Sequence, residues 1–142
     1  MARPQTDQEL SRSELQILKL FWRSGRLSAR EAHQSMDEMG WAYTTTRTIL
    51  DRMVKKGLLQ REAFHGLYLY EATVGKVVTM ARLVKEFAER VLELDSVPVA
   101  TLFNQSEVLD DSELAELEQM LAHDGEHGSG DDSGHDSVEE SP

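Results

Sequence analysis

Residues 44–56, TTTRTILDRMVKK, combine short hydroxyls and cations with the apolar spacing of a helix. The apolar positions recur in steps of three and four residues, so one stripe is apolar and the opposite face is polar. Hydroxyl and guanidinium groups can contact base edges in a major groove, and Lys and Arg can contact phosphates. An ordinary amphipathic helix with a solvated basic end would show the same pattern. The candidate contact residues are Thr44, Thr45, Arg47, Thr48, Arg52, Lys55 and Lys56.

The charge of the chain is divided unevenly between its halves. The 142 residues carry a net charge of −11. Residues 1–70 hold 11 Lys and Arg against 8 Asp and Glu, a net +3, while the remainder holds 4 against 18, a net −14. A phosphate group meets the field of the face nearest to it, so the acidic half does not exclude nucleic-acid binding by the other half.

Composition excludes several classes of protein. A hydrophobic content of 39% and a charged content of 29% predict a soluble globular protein. No membrane-spanning run and no signal peptide are found, so a cytoplasmic location without membrane insertion is predicted. The absence of cysteine excludes disulfides, thiol catalysis and thiolate metal sites. No phosphate loop or nucleophile motif is present either, so we predict no enzyme activity, no cofactor and no metal.

Two helix-start signals precede the basic segment. Ser11 with Glu14, and Ser28 with Glu31, have the spacing of a capping box, in which each residue's side chain bonds the other's backbone N–H. The first helix is expected to end at Gly25, where a positive φ is easy.

The second helix is expected to run to about Met39. Thr44 is predicted to cap the third helix through its hydroxyl, and Gly57 to end it. His33 is expected on a helix surface.

A β-hairpin is predicted after the third helix. Residues 58–64 and 67–71 are rich in aliphatic and aromatic side chains, and His65-Gly66 separates them as a two-residue turn. Three helices followed by a hairpin indicate a mainly α, α+β winged-helix fold, in which the hairpin lies beside the DNA backbone. Arg61 and His65 are the candidate contacts of this hairpin.

The C-terminal half has the pattern of an association surface. From Lys76 onward, apolar residues alternate in steps of three and four, which is a heptad seam that would pair with a second chain or pack on its own domain. A final short helix is predicted after Asp110, which has Glu113 three residues on. The candidate dimerisation residues are Val77, Met80, Val84, Phe87, Val91, Leu102, Phe103, Leu114 and Leu117.

These patterns divide the chain into four parts. A flexible N-terminus covers residues 1–9, a winged-helix DNA-binding domain 10–74, a helical dimerisation region 75–122, and a disordered acidic tail 123–142. The tail holds three of the five histidines, which we interpret as solvated.

The sequence resembles the BlaI/MecI family of penicillinase repressors. The segments that carry the resemblance are SRSELQILKLFW, WAYTTTRTILDRMVKKGLL and LYLYEA, with a weaker continuation at TLFNQSEVLDDSELAELEQML. The resemblance implies a homodimeric repressor that binds a double-stranded DNA operator with inverted repeats, ahead of resistance or stress genes. It also implies control by a membrane metalloprotease sensor or its downstream protease, with cleavage in the C-terminal region.

This chain departs from the family pattern at three places. The copper-responsive branch uses cysteine ligands, which are absent here. The cleavage position of the antibiotic-responsive members is an Asn-Phe pair, whereas Leu102 precedes Phe103 here and Asn104 follows it. The acidic tail extends beyond the family's usual end. The alternative from another class is a winged-helix protein-interaction module without specific DNA binding.

Overall fold

The computed structural model describes residues 10–95 and 99–122, and the chain divides into two compact units, Met1–Lys76 and Val77–Pro142. The predicted flexible segment 1–9 and the predicted acidic tail 123–142 lie outside the described residues. The first unit contains α1 Arg12–Ser24, β1 Leu27–Ser28, α2 Ala29–Ser35, a 3-10 turn Asp37–Met39, α3 Tyr43–Lys55, β2 Leu59–Phe64 and β3 Leu67–Ala72.

Both predicted capping boxes form. The Ser11 hydroxyl accepts from the Glu14 N–H at 3.2 Å, and Glu14 Oε1 accepts from the Ser11 N–H at 3.0 Å. Ser28 and Glu31 make the same pair of bonds at 3.1 and 2.8 Å. Each box satisfies two N–H groups that have no partner inside the helix, which is why α1 and α2 begin where the sequence predicts.

The second helix is shorter than the sequence predicts. It ends at Ser35, and a 3-10 turn then leads to Gly40, whose φ of 72° is left-handed. The prediction of one helix to about Met39 was therefore wrong. Serine and aspartate, here Ser35 and Asp37, are disfavoured in helix interiors because their side chains compete for backbone hydrogen bonds. The α-helix therefore ends here and the narrower 3-10 turn follows.

The third helix begins one residue before the predicted cap. Ala42 holds the extended N-cap conformation, and its carbonyl accepts from the N–H groups of Thr45 and Thr46. Thr44 is therefore inside the helix, and the prediction that it caps α3 was wrong. At the other end Gly57, with φ 80°, donates to Val54 at 3.1 Å, and Leu58 donates to Met53 at 2.9 Å. This pair of bonds is a Schellman motif, and it ends α3 as predicted.

One core holds the first unit together. α1, α3 and the two long strands contribute side chains that are nearly or fully excluded from water, and α2 adds Ala29 and Ala32. Leu50 of α3 is fully buried, so its truncation to alanine would cost about 2–5 kcal/mol. The largest fully buried side chains of this core are Ile17, Leu18, Leu20, Leu50, Met53, Leu59 and Tyr70.

The three strands form an antiparallel sheet in the order β1-β3-β2. β2 and β3 are joined by His65 and Gly66, both with positive φ, as a tight hairpin turn requires. β1 was not predicted, because two residues are too few to show strand alternation; it pairs Leu27 with Tyr70. The Trp22 indole N–H donates to the Val74 carbonyl at 2.9 Å and fixes the chain after β3 to α1. The first unit is a winged helix, so the predicted fold class is confirmed.

α4 Lys76–Phe87 begins at the last residue of the first unit, and the second unit continues with a π-helical turn Ala88–Leu92, α5 Val99–Leu102 and α6, a helix at residues 111–122. α6 begins at the predicted cap, where Asp110 and Glu113 exchange bonds of 2.8 and 2.9 Å. The heptad seam predicted from Lys76 onward does not continue on one regular helix past Phe87, because the wider π turn shifts the helical phase there and Glu93 is left-handed.

Candidate nucleic-acid interface

The exposed face of α3 carries the predicted hydroxyls and cations. Thr46, Ile49, Leu50 and Met53 are buried in the core, and this fixes the rotation of the helix about its axis. The opposite face is then polar and open to a ligand. It consists of Thr44, Thr45, Arg47, Thr48, Arg52 and Lys55, all of which are exposed.

Arg47 is held in place at the first turns of α3. A hydrogen bond with Tyr43 is the main cause that raises the pKa of Arg47 above its ordinary value, so this guanidinium stays charged. Tyr43 is fixed in turn: the Arg30 guanidinium lies 4.5 Å from its ring centre, and the His33 ring meets it edge-on at 5.5 Å. Residues of α2 therefore support the arginine that α3 presents.

A partly buried hydrogen bond joins α2 to α3. His33 Nδ1 lies 2.8 Å from the hydroxyl of Thr46, which is fully buried. His33 is half-buried on α2, so the expectation that it lies on a helix surface is met only in part. This pairing has no local signal in the sequence, because the two residues lie 13 positions apart on different helices.

Glu14 anchors the C-terminal part of α3. Its side chain is only 1% exposed and accepts from Arg52 Nε at 3.0 Å and from Lys56 Nζ at 2.8 and 3.0 Å. Burial alone would raise the pKa of Glu14, but the bonds from Lys56, Ser11 and Arg52 together lower it. The sequence did not predict this role of Glu14, because the capping box already accounted for a glutamate at this position.

Arg52 and Lys56, the two predicted phosphate contacts that bond Glu14, differ in their exposure to solvent. The Lys56 side chain is 15% exposed and its ammonium is bonded to Glu14, whereas the Arg52 side chain is 47% exposed. Lys56 is therefore placed to hold α3 on α1 rather than to meet an external phosphate.

Arg61 and His65, the two predicted contacts of the wing, have different surroundings. Arg61 Nη1 lies 3.6 Å from Asp51 Oδ1 of α3, and its guanidinium lies 4.6 Å from the ring centre of Tyr68. His65 occupies the turn, with its ring edge-on to Phe64 at 4.3 Å. The wing also exposes three large apolar side chains that sequence reasoning did not single out, Phe64, Leu67 and Tyr68.

An open groove of about 930 Å³ runs between α2, the start of α3 and the wing. Its lining combines cationic with aromatic side chains, a composition suited to an anionic ligand. The residues that give it this character are Arg26, Arg30, Arg47, His65, Tyr43 and Tyr68.

The predicted dimerisation residues differ widely in burial. Val77, Met80 and Leu117 are buried, and Val84, Phe103 and Leu114 are half-buried. Phe87, Val91 and Leu102 are exposed, and Val91 reaches 62%. The second unit therefore leaves part of the predicted seam open to solvent.

Two features are absent from residues 10–95 and 99–122. None of their helices is long and apolar enough to cross a membrane. Nor do these residues include a group of three or more His, Asp or Glu side chains that could hold a metal ion. The histidines at 123, 127 and 135 lie outside this part of the chain.

Comparison with known proteins gives consistent matches. The sequence model described as penicillinase repressor matches residues 10–123. The methicillin resistance regulatory protein MecI of Staphylococcus aureus (strain N315) is 24% identical over 114 residues, which cover 80% of this chain and 93% of MecI. The penicillinase repressor of Bacillus licheniformis is 22% identical over 114 residues, which cover 80% of this chain and 89% of that protein. An uncharacterized 16.5 kDa protein of Latilactobacillus sakei is 25% identical over 115 residues, 80% of this chain and 78% of that protein.

Proposed function

Because this chain belongs to the penicillinase repressor family, we propose that it is a transcriptional repressor that binds double-stranded operator DNA through α3. The observation that carries the proposal is the exposed face of α3, where three hydroxyls and three cations stand on a helix fixed by a buried core. The names of the relatives, a resistance regulator and a penicillinase repressor, support a role in regulating resistance or stress genes.

The residues of α3 divide into two roles in this proposal. Thr45, Arg47 and Thr48 lie in the first turns, where helix-turn-helix proteins meet base edges. Arg52 and Lys55 lie farther along and contact phosphates, and they set much of the affinity for any duplex. Arg61 and His65 of the wing contact the backbone beside them.

The repressor acts as a homodimer on inverted repeats. A single winged helix covers one half-site, so two must be held together for tight binding. The exposed Phe87, Val91 and Leu102 support the second unit as the surface that holds them. A charged or polar solvent-facing surface would be expected there if the unit were self-sufficient.

The test is selection of duplexes from a random DNA pool, followed by binding titrations. We expect an inverted repeat to be enriched, and we expect one isolated half-site to bind at least tenfold more weakly than the repeat. A pool that shows no enrichment would contradict the proposal.

Control by a protease is the finer part of the proposal. Cleavage next to Phe103 would separate α6 from α4 and so divide the proposed dimer surface. Mass spectrometry of the chain from induced cells should then show a fragment that ends at Leu102 or Phe103. An intact chain in induced, derepressed cells would contradict this step.

One observation favours the second candidate, a winged helix that binds a protein partner. The wing exposes Phe64, Leu67 and Tyr68, each by nearly half, and such a cluster is a common feature of protein interfaces. The same DNA selection separates the two candidates, because this one predicts that no duplex is enriched.

A further inference from the structure

Glu14 is a carboxylate with its acceptor positions occupied from two helices. Oε1 accepts from the Ser11 N–H and from Lys56 Nζ, while Oε2 accepts from Arg52 Nε and from Lys56 Nζ. A buried ion held by four hydrogen bonds has little freedom to move. The side chain is therefore a fixed point at the start of α1.

The bond to Arg52 determines which donors of this arginine face outward. Guanidinium has five N–H groups in a rigid plane, and Glu14 engages the one on Nε. The two Nη groups at the other end of the plane are then the donors for an external acceptor. Arg52 follows Thr48 by four residues and Thr45 by seven, so it lies on the same side of α3 as these hydroxyls.

Lys56 bonds the same carboxylate and is the less exposed of the two cations. Its side chain is 15% exposed, whereas that of Arg52 is 47% exposed. Arg52 is therefore the cation bonded to Glu14 that an external anion can reach.

We propose that Glu14 is a positioning residue for operator binding: it holds Arg52 by Nε so that the Nη groups point at a DNA phosphate. This inference rests on the proposed DNA-binding function and adds a residue of α1 that does not itself touch DNA. Preorganisation of this kind increases affinity because a free arginine would lose side-chain entropy on binding.

The first test replaces the guanidinium group of Arg52 with an ammonium group. Lysine has no Nε–H in a plane with two further donors, so Arg52→Lys cannot bond Glu14 and reach the phosphate as arginine does. We expect Arg52→Lys to weaken operator binding at least tenfold, nearly as much as Arg52→Ala, because each half-site loses a charged hydrogen bond. The matched control is Arg23→Lys, the same exchange at an exposed arginine in the last turn of α1 that is not among the proposed DNA contacts, and it should bind as the parent does.

The second test removes the anchoring carboxylate and the lysine bonded to it together. In Glu14→Gln/Lys56→Met, a neutral amide and a long apolar side chain replace the charged pair, an exchange that proteins often tolerate. In this background Arg52→Ala should weaken binding less than twofold, against at least tenfold in the parent chain, because the positioning is already lost. Lys55→Ala should weaken binding equally in both backgrounds.

The outcomes separate the inference from the function on which it rests. A parent chain that binds no duplex would overturn the proposed function. A parent that binds, together with an Arg52→Lys variant of equal affinity, would overturn the positioning role alone. The positioning role would also be overturned if Arg52→Ala lowered operator affinity by the same factor in the parent and in the Glu14→Gln/Lys56→Met background. Unfolding midpoints of all variants show whether a loss of binding is a loss of fold, and the exchange at exposed Arg52 keeps the test valid if the double variant does not fold.

Discussion

The two units of this chain treat their apolar side chains differently. In the first unit α1, α3 and the sheet bury a continuous core beside the Glu14–Lys56 ion pair, and the large apolar side chains that this unit exposes by nearly half, Phe64, Leu67 and Tyr68, belong to the wing. The second unit leaves Phe87 exposed by 48% and Val91 by 62%. We infer that the first unit is complete as a single domain, whereas the second is built to be completed by another copy.

The largest expected effect is at the open surface of the second unit. Phe87→Asp places a carboxylate where association would remove water, so the dimer should lose about 3 kcal/mol or more of its stability. Operator affinity should fall with it, although α3 is unchanged. Sedimentation measures the dimer, and a titration on the selected inverted repeat measures the affinity.

The control for this change is on the same helix. Val78 is 56% exposed and lies nine residues before Phe87, which places it on the opposite face of α4. Val78→Asp should leave both the dimer and the affinity unchanged. If Phe87→Asp also leaves the dimer intact, the seam is not the association surface.

The next effect concerns the enclosed unit and its stability at low pH. The pKa of Glu14 is lowered in the folded chain. The charged carboxylate therefore contributes to the free energy of unfolding above its ordinary pKa of 4.5, and this contribution is lost as the pH falls through the pKa of the folded chain. Glu14→Gln removes the buried charge that bonds Lys56 and Arg52 and should cost about 3 kcal/mol of unfolding free energy at pH 7. This difference between parent and variant should shrink below about pH 4.5.

Denaturant unfolding at pH 7, 5, 4 and 3 measures this difference. Glu31 is the matched control, because it holds the same capping-box position at α2 but is exposed. Glu31→Gln should cost about 1 kcal/mol or less, as expected for a change at an exposed cap. A gap between parent and Glu14→Gln that stays constant down to pH 3 would show that the charge of Glu14 does not stabilise the fold.

A smaller effect separates base contacts from phosphate contacts on α3. Arg47→Ala should cost roughly 1–3 kcal/mol on the selected operator and relax the sequence preference. Lys55→Ala should weaken all duplexes alike. Titrations on the selected operator and on single-base variants of it measure both, and equal losses on every duplex for Arg47→Ala would assign this residue to phosphate instead.

The sequence predicted the parts of this fold that depend on local signals. The capping boxes at Ser11 and Ser28, the end of α3 at Gly57 and the turn at His65 each depend on residues within a few positions of one another. The exposed face of α3 followed from periodicity alone.

The missed features depend on contacts distant in sequence or on competition between nearby bonding patterns. Glu14 meets Lys56 42 residues away, and β1 exists only because β3 lies beside it. Lys56 looked like a phosphate contact because its partner could not be seen in the sequence. The π turn after Phe87 has no residue signature, so a regular heptad was the expected continuation.

The dependence of operator affinity on salt concentration tests the central claim most directly, because contacts to phosphate release counterions. With Arg52 and Lys55 presented by each subunit of a dimer, at least four phosphates are neutralised, and the logarithm of the affinity should fall with the logarithm of salt concentration with a slope of about 4 in magnitude. Lys55→Ala should reduce this slope by about 2, since one contact is lost in each half-site. A slope near zero for the parent chain would contradict the assignment of α3 as the DNA-binding surface.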